Sequence, residues 1–203
     1  MKKICFYIMK ADTGFAPNPY HDVCTLAACT PNHMRAKLEA GDWIVGCFRS
    51  GAPPRVVFIM RVDERLSLDN YYRDPRFAVK KAAADLAYRR CGDNIYCRGP
   101  DGLLCRAPEA RFFHTDCGNS RKDIRGDRVF VGRDFLYLGK RAILLPKPFI
   151  PSLPGRGVKY LREREPEFDA FMQWRGGLGR GMQGSPRDAG GTGCRRQKTA
   201  PCG

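Results

Sequence analysis

Residues 41–63, GDWIVGCFRSGAPPRVVFIMRVD, hold two apolar runs separated by a break rich in glycine and proline. Both runs favour branched and aromatic residues, and RSGAPP between them fits a hairpin-like connection, so the stretch reads as two neighbouring strands. Gly41 permits a sharp turn into the first strand, and Asp42 can accept hydrogen bonds from backbone amides there. The Gly-Asp pair thus has a structural reason to exist without any ligand.

Working outward, PNHMRAKLEAG (31–41) reads as a short helix with Asn32 as N-cap and Gly41 at its end. KICFYIM (3–9) reads as a first strand, because its apolar part is too short for a signal peptide and no small-residue cleavage site follows. Downstream, SLDNYYRDPRFAVKKAAADLAYRR (67–90) reads as two helical pieces broken at Asp74-Pro75. From Gly92 to Gly139 only short strand-like pieces occur, NIYC, RFFHT, RVFVG and DFLYLG, as in a small barrel or strongly bent sheet. ILLPKPFIPSLPGRG (143–157), with four prolines, reads as a semi-rigid linker. A helix then starts at Pro166, presents Phe168, Phe171, Met172 and Trp174 on an apolar face, and ends at Gly176. The expected organisation is an α+β domain over residues 1–150, a linker and amphipathic helix over 151–176, and a basic, glycine-rich disordered tail over 177–203.

No stretch approaches the roughly 18 uninterrupted apolar residues of a membrane span, so a cytoplasmic protein without a membrane partner is expected. In a reducing compartment ten cysteines read as thiols or ligands rather than a disulfide framework. The net charge of +15, with arginine supplying 25 of 36 basic residues, points to nucleic acid or nucleotide as partner, although a GC-rich genome also favours arginine codons. The charge is not confined to the tail. Residues 1–150 carry 26 basic and 16 acidic side chains, so the electrostatic footprint lies partly on the folded body.

GFAPNPYHDVCTLAACTPNH (14–33) concentrates chemistry-bearing residues. His21, Cys24, Cys29 and His33 have zinc-ligand types at weak spacing, and buried cysteines in a small-residue segment explain them as well; no metal is assigned. A nucleophilic Cys24 or Cys29 needs a histidine or helix N-terminus beside it. FFHTDCGNSRKD (112–123) brings His114, Asp116, Asn119 and Arg121 to one polar turn, suited to acid-base work or simply to turning. DNYYRDPRF and GDNIY interleave Tyr71, Tyr72, Phe77 and Asn94 with arginines such as Arg76, a combination that stacks bases, with at least one of the aromatics expected in the core. No Walker, Gly-x-Gly-x-x-Gly, Ser-x-x-Lys or paired-carboxylate pattern is present, and no cofactor is expected. GRGMQG (179–184) follows a helix, the wrong context for a phosphate-cradling loop.

The series GFAPNPYHDVCTLAACTP, GDWIVG, DNYYRDPRF, GDNIY and VFVGRDFLYLGK, followed by FMQW and GMQGSP, resembles the second type of nucleotide modification associated domain, over residues 3 to about 185. That resemblance implies a part in making or handling hypermodified DNA bases in bacteria or phages. The order helix, GDWIVGCF, Gly/Pro loop, VVFIMRV, DNYYRDPRF is also similar, more weakly, to EVE, ASCH and other PUA-like domains, which hold a modified base at a barrel mouth. The expected fold is therefore a PUA-like small bent barrel flanked by short helices. The opening of residues 14–33 becomes a recognition loop, with Phe15, Asn18, Tyr20, His21, Trp43, Arg76, Phe77, Asn94 and Asn119 around a nucleotide. The rival expectation is an enzyme using His21 or His114 as general base, oriented by Asp22 or Asp116. A third is a non-catalytic subunit that docks modification-system proteins through the late helix and tail.

Overall fold

The computed structural model describes residues 1–28, 36–49, 53–83, 91–108, 110 and 117–188. The fold is α+β. A seven-stranded sheet runs β11-β1-β3-β4-β9-β12, with β10 also paired to β4. Its members are β1 (Lys3–Ile8), β3 (Trp43–Phe48), β4 (Arg55–Arg61), β9 (Phe135–Tyr137), β10 (Ile143–Leu144), β11 (Val158–Arg162) and β12 (Gly181–Met182). A second sheet joins β2 (Cys24–Leu26), β8 (Val129–Gly132) and β5 (Glu64–Leu66), and β6 (Tyr96–Arg98) pairs with β7 (Leu104–Arg106) in a separate ribbon. The expected barrel does not form: among the described residues the large sheet ends in β11 and β12, which are not paired to each other.

The hairpin expected over residues 43–61 is present, with β3 and β4 antiparallel and a register shift at Gly46/Cys47. Glycine is required at 46 because a Cβ there would collide with the Phe58 ring and the Met9 sulfur. β1 lies parallel to β3, so the chain must cross over between them, and residues 9–42 do so. Both faces of this sheet are covered, which is why its strands read as unbroken apolar runs. Ile4, Phe6, Trp43 and Val45 pack on one side with Phe149, Phe168 and Phe171. Cys5, Tyr7, Ile44 and Met60 pack on the other with Leu26 and Phe130. A third cluster, containing Phe15, Tyr71, Phe77 and Tyr96, joins the second sheet to helix α1 (Leu68–Arg73).

Among the described residues the other α-helices are α2 (Cys117–Ile124) and α3 (Glu167–Gly176). Ser67 caps α1 by accepting the Asn70 amide at 3.1 Å, and Asp74 restarts the chain as a 3₁₀ segment, Pro75–Lys80, where the break was expected. In α3, Phe171 sits edge-on to Phe6, with ring centroids 5.6 Å apart.

Several expectations are corrected. The described end of the expected 31–41 helix, residues 36–41, is not helical; Asp42 Oδ2 accepts the Glu39 amide at 2.9 Å and closes a turn instead. Residues 117–124 form α2 rather than a polar turn, while His114 and Asp116 lie outside the described residues, as does the expected helix beyond residue 83. The Pro-rich linker is a 3₁₀ segment, Lys147–Ser152, whose Phe149 is buried, followed by β11 on the sheet edge. Residues 177–188 are not a disordered tail. They form β12 and a strap, because backbone pairing and buried Pro186 offset the ordering entropy that composition alone makes prohibitive.

Candidate functional site

Within the loop formed by residues 12–25, reciprocal backbone bonds between Asn18 and Thr25, at 2.9 and 3.0 Å, close off residues 18–25. Its interior is filled by one ammonium group. Lys80, 1% exposed, comes from the end of the 3₁₀ segment and places Nζ 2.6 Å from both the Tyr20 and Val23 carbonyls. The same nitrogen lies 2.8 Å from Asn18 Oδ1 and 3.1 Å from its carbonyl. Asn18 Nδ2 in turn donates to the Cys91 carbonyl at 2.8 Å.

Behind the loop, the fully buried Asp93 accepts from Thr25 Oγ1 at 2.7 Å and from the Tyr71 hydroxyl at 2.8 Å. Burial lowers the Lys80 pKa to about 8, an effect that the Asp93 charge only partly opposes. Burial likewise raises Asp93, against the pull of Lys80. Asn94 completes the frame, donating from Nδ2 to the Tyr71 and Phe77 carbonyls, each at 3.1 Å.

Held by this frame, the loop tip carries two consecutive non-glycine residues in the left-handed region, His21 at φ 61° and Asp22 at φ 56°, both exposed. Such backbone persists only where its surroundings determine it, and it clusters at ligand clamps and active sites. Cys24, one step inside, is a poor nucleophile: burial pushes its thiol up to about 12. Cys29 and His33 lie outside the described residues. Among the described ones, no group of three His, Cys, Asp or Glu side chains is placed to hold a metal ion.

The expected site residues divide. Phe15, Asn18, Tyr20, His21, Phe77 and Asn94 do converge on this loop and its frame, but Phe15 and Phe77 are buried, with Phe77 tilted against Tyr71 at 4.8 Å. Trp43 belongs to the other side of the large sheet, beneath the Arg175 guanidinium at 5.4 Å. Arg76 is exposed, yet Glu64 takes its fork at 2.9 and 3.0 Å and Asp74 takes the rest. Asn119 lies in α2. Sequence reasoning passed over Lys80 and Asp93. The signals were an Asp within GDNIY, where Asn94 was singled out instead, and a lysine that follows the buried Phe77 on a tight helical turn.

A second feature lies across the strap. A cleft of about 300 Å³ is lined by Phe48, Pro53, Arg55, Gly139, Lys140, Ala142 and Arg187. Among the described residues no carboxylate lines it. Arg55 Nη1 donates to the Ala142 carbonyl at 3.0 Å, and the Arg187 guanidinium stands 4.7 Å above the Phe48 ring.

The fold and these two features define a mixed α+β protein with a pre-organised polar loop and a separate cationic cleft. The chain belongs to the family described as nucleotide modification associated domain 2, whose model matches residues 1–192. No curated protein and no solved structure matches it, so the similarity to EVE and ASCH domains gains no support. Among the described residues no helix is long and apolar enough to cross a membrane.

Proposed function

We propose that the protein takes part in DNA base modification by recognising a modified base, in DNA or as a nucleotide, with the loop over residues 14–23. The observation that carries this reading is the His21-Asp22 tip: strained, exposed and held by a fully buried lysine cage. Family membership supplies the nucleotide context. The net charge of +15 favours a polyanionic partner, with binding that weakens as salt rises. The recognising groups are the His21 and Asp22 side chains and the rim of Tyr20, rather than the wider aromatic pocket, because Phe15 and Phe77 are committed to the core and Trp43 lies elsewhere.

The test compares DNA from cells carrying the modification genes with an amplified copy of the same sequence, which lacks the modification. Replacing His21→Asn and Asp22→Gly keeps a turn tolerant of positive φ while removing the side-chain chemistry. The expected result is an unchanged melting temperature and loss of preference for the modified DNA. A preference equal to that of the parent protein removes the loop from the function.

The same strained tip supports a second reading, in which His21 acts as general base beside Asp22. His21→Ala combined with His114→Ala should then abolish product formation in a modification assay, and full turnover in the double variant rejects it. Docking through the late helix has less support, because Phe168 and Phe171 are buried against the sheet.

A further inference from the structure

We propose that the cleft between Phe48 and the strap is a phosphate site, receiving either the monoester of a free nucleotide or a diester of the DNA backbone. This deepens the nucleotide reading above but uses none of its recognising residues, Tyr20, His21 and Asp22.

The argument begins with unequal pairing. At the edge formed by β5 and the 3₁₀ segment, Arg76 has two carboxylates, and Arg133 also approaches Glu64 at 3.8 Å. In the cleft, Arg55, Lys140 and Arg187 converge, and among the described residues none of the three forms an ion pair. Three like charges around one concavity repel one another and focus a field that an anion relieves. Guanidinium forks match phosphate oxygens in pairs, and a lysine adds a mobile point charge. The volume of about 300 Å³ is at the small end of ligand sites and suits a phosphate with its sugar, not the width of a duplex.

The strap builds this arrangement. β12 pairs with β9, and Gln183 donates its amide to the Tyr137 carbonyl at 2.8 Å. The Ser185 carbonyl accepts the Lys140 amide at 2.9 Å. The strap then closes on residue 12: the Arg187 amide donates to Asp12 Oδ2 at 3.1 Å, and the Asp12 amide donates to Asp188 Oδ2 at 2.8 Å. Asp12 is held from its other side by the Tyr137 hydroxyl at 2.6 Å. Two of the three cations are therefore positioned by one segment. Gly139 allows the contact: its φ is +52°, and a Cβ would strike the Ser185 carbonyl.

The experiment titrates the full chain by calorimetry with three probes: inorganic phosphate, 2′-deoxycytidine 5′-monophosphate, and an ordinary-base single-stranded oligonucleotide of about 12 nucleotides. It compares the parent protein with the double variant Lys140→Gln, Arg187→Gln and with Gly139→Ala, which displaces the strap without removing a charge. At least one probe should bind the parent and weaken about tenfold or more in the double variant, with a shallower salt dependence. Gly139→Ala should weaken the same probe. Binding of the mononucleotide without the oligonucleotide identifies the monoester as ligand, and the converse identifies the DNA backbone. No binding of any probe by the parent, or equal affinities in parent and double variant, overturns the proposal. Because no probe carries a modified base, that failure leaves the loop reading intact. Failure of the loop variants to lose discrimination leaves this one intact.

Discussion

Lys80 and Lys140 stand in opposite circumstances. Lys80 is 1% exposed and surrounded by four oxygens, three of them backbone carbonyls of a single loop, with Asp93 close enough to act on its charge. Lys140 is exposed, its backbone tied to Ser185 and its side chain lining a cleft that has no carboxylate among the described residues. In the first region the buried charges are answered from within the protein, and the result is a closed frame. In the second the protein fixes the backbone and leaves the charges for something else to answer. A cation's role therefore depends on what has been brought to it, not on its residue type: Lys80 holds a loop together, and Lys140 is available for binding.

The largest effect that can break this comparison is on folding. Asp93→Ala strands the buried Lys80 charge and two hydroxyls, and should destabilise the protein by about 3–5 kcal/mol in denaturant unfolding. A loss below about 1 kcal/mol means that the frame is not charge-dependent. Next, Tyr137→Phe removes the donor to Asp12 and should cost about 1–3 kcal/mol, because a buried carboxylate oxygen loses its partner. It should also reduce phosphate affinity through the strap, an effect that a purely local defect does not produce. At the small end, Lys140→Gln should alter stability by no more than about 0.5 kcal/mol while weakening anion binding. A stability loss comparable to that of Asp93→Ala makes the cleft structural and erases the contrast.

A pH measurement sharpens the same contrast. The Lys80 pKa falls from its ordinary 10.5 to about 8 on folding, so between these values the unfolded chain holds the proton more tightly than the native one. By linkage, the stability of the parent should rise with pH across that window relative to a Lys80→Met variant, by at most about 1.4 kcal/mol per pH unit. Taking the difference from the variant cancels the opposite drift of the buried cysteines, whose raised pKa values lose stability above pH 9. A flat difference curve means that the native lysine is not desolvated.

Much of the fold was legible. The 43–48 and 55–61 strands, the first strand, the break at Asp74-Pro75 and the helix from Pro166 all follow from local apolar pattern and from proline chemistry. The open sheet was not, and a barrel was expected in its place, because short strands in a sequence do not state which edges meet. The strap was read as disordered because its glycines and polar residues offer little to bury. Its order comes instead from backbone pairing with β9 and from Asp12, some 175 residues earlier in the chain. Part of the site shows the same limit. Asn18, Tyr20 and His21 announced a loop by their company of prolines and histidine, but nothing in the sequence shows that a lysine 62 positions later reaches into it.

By itself, the sequence determined the α+β class, the central hairpin, the family and the charge excess, because each rests on composition or on residues close together in the chain. Tertiary structure alone decided which basic groups are neutralised and which remain available. That distinction depends on oxygens and carboxylates brought from distant segments, and the free energy of a charge is set by its surroundings rather than by its identity.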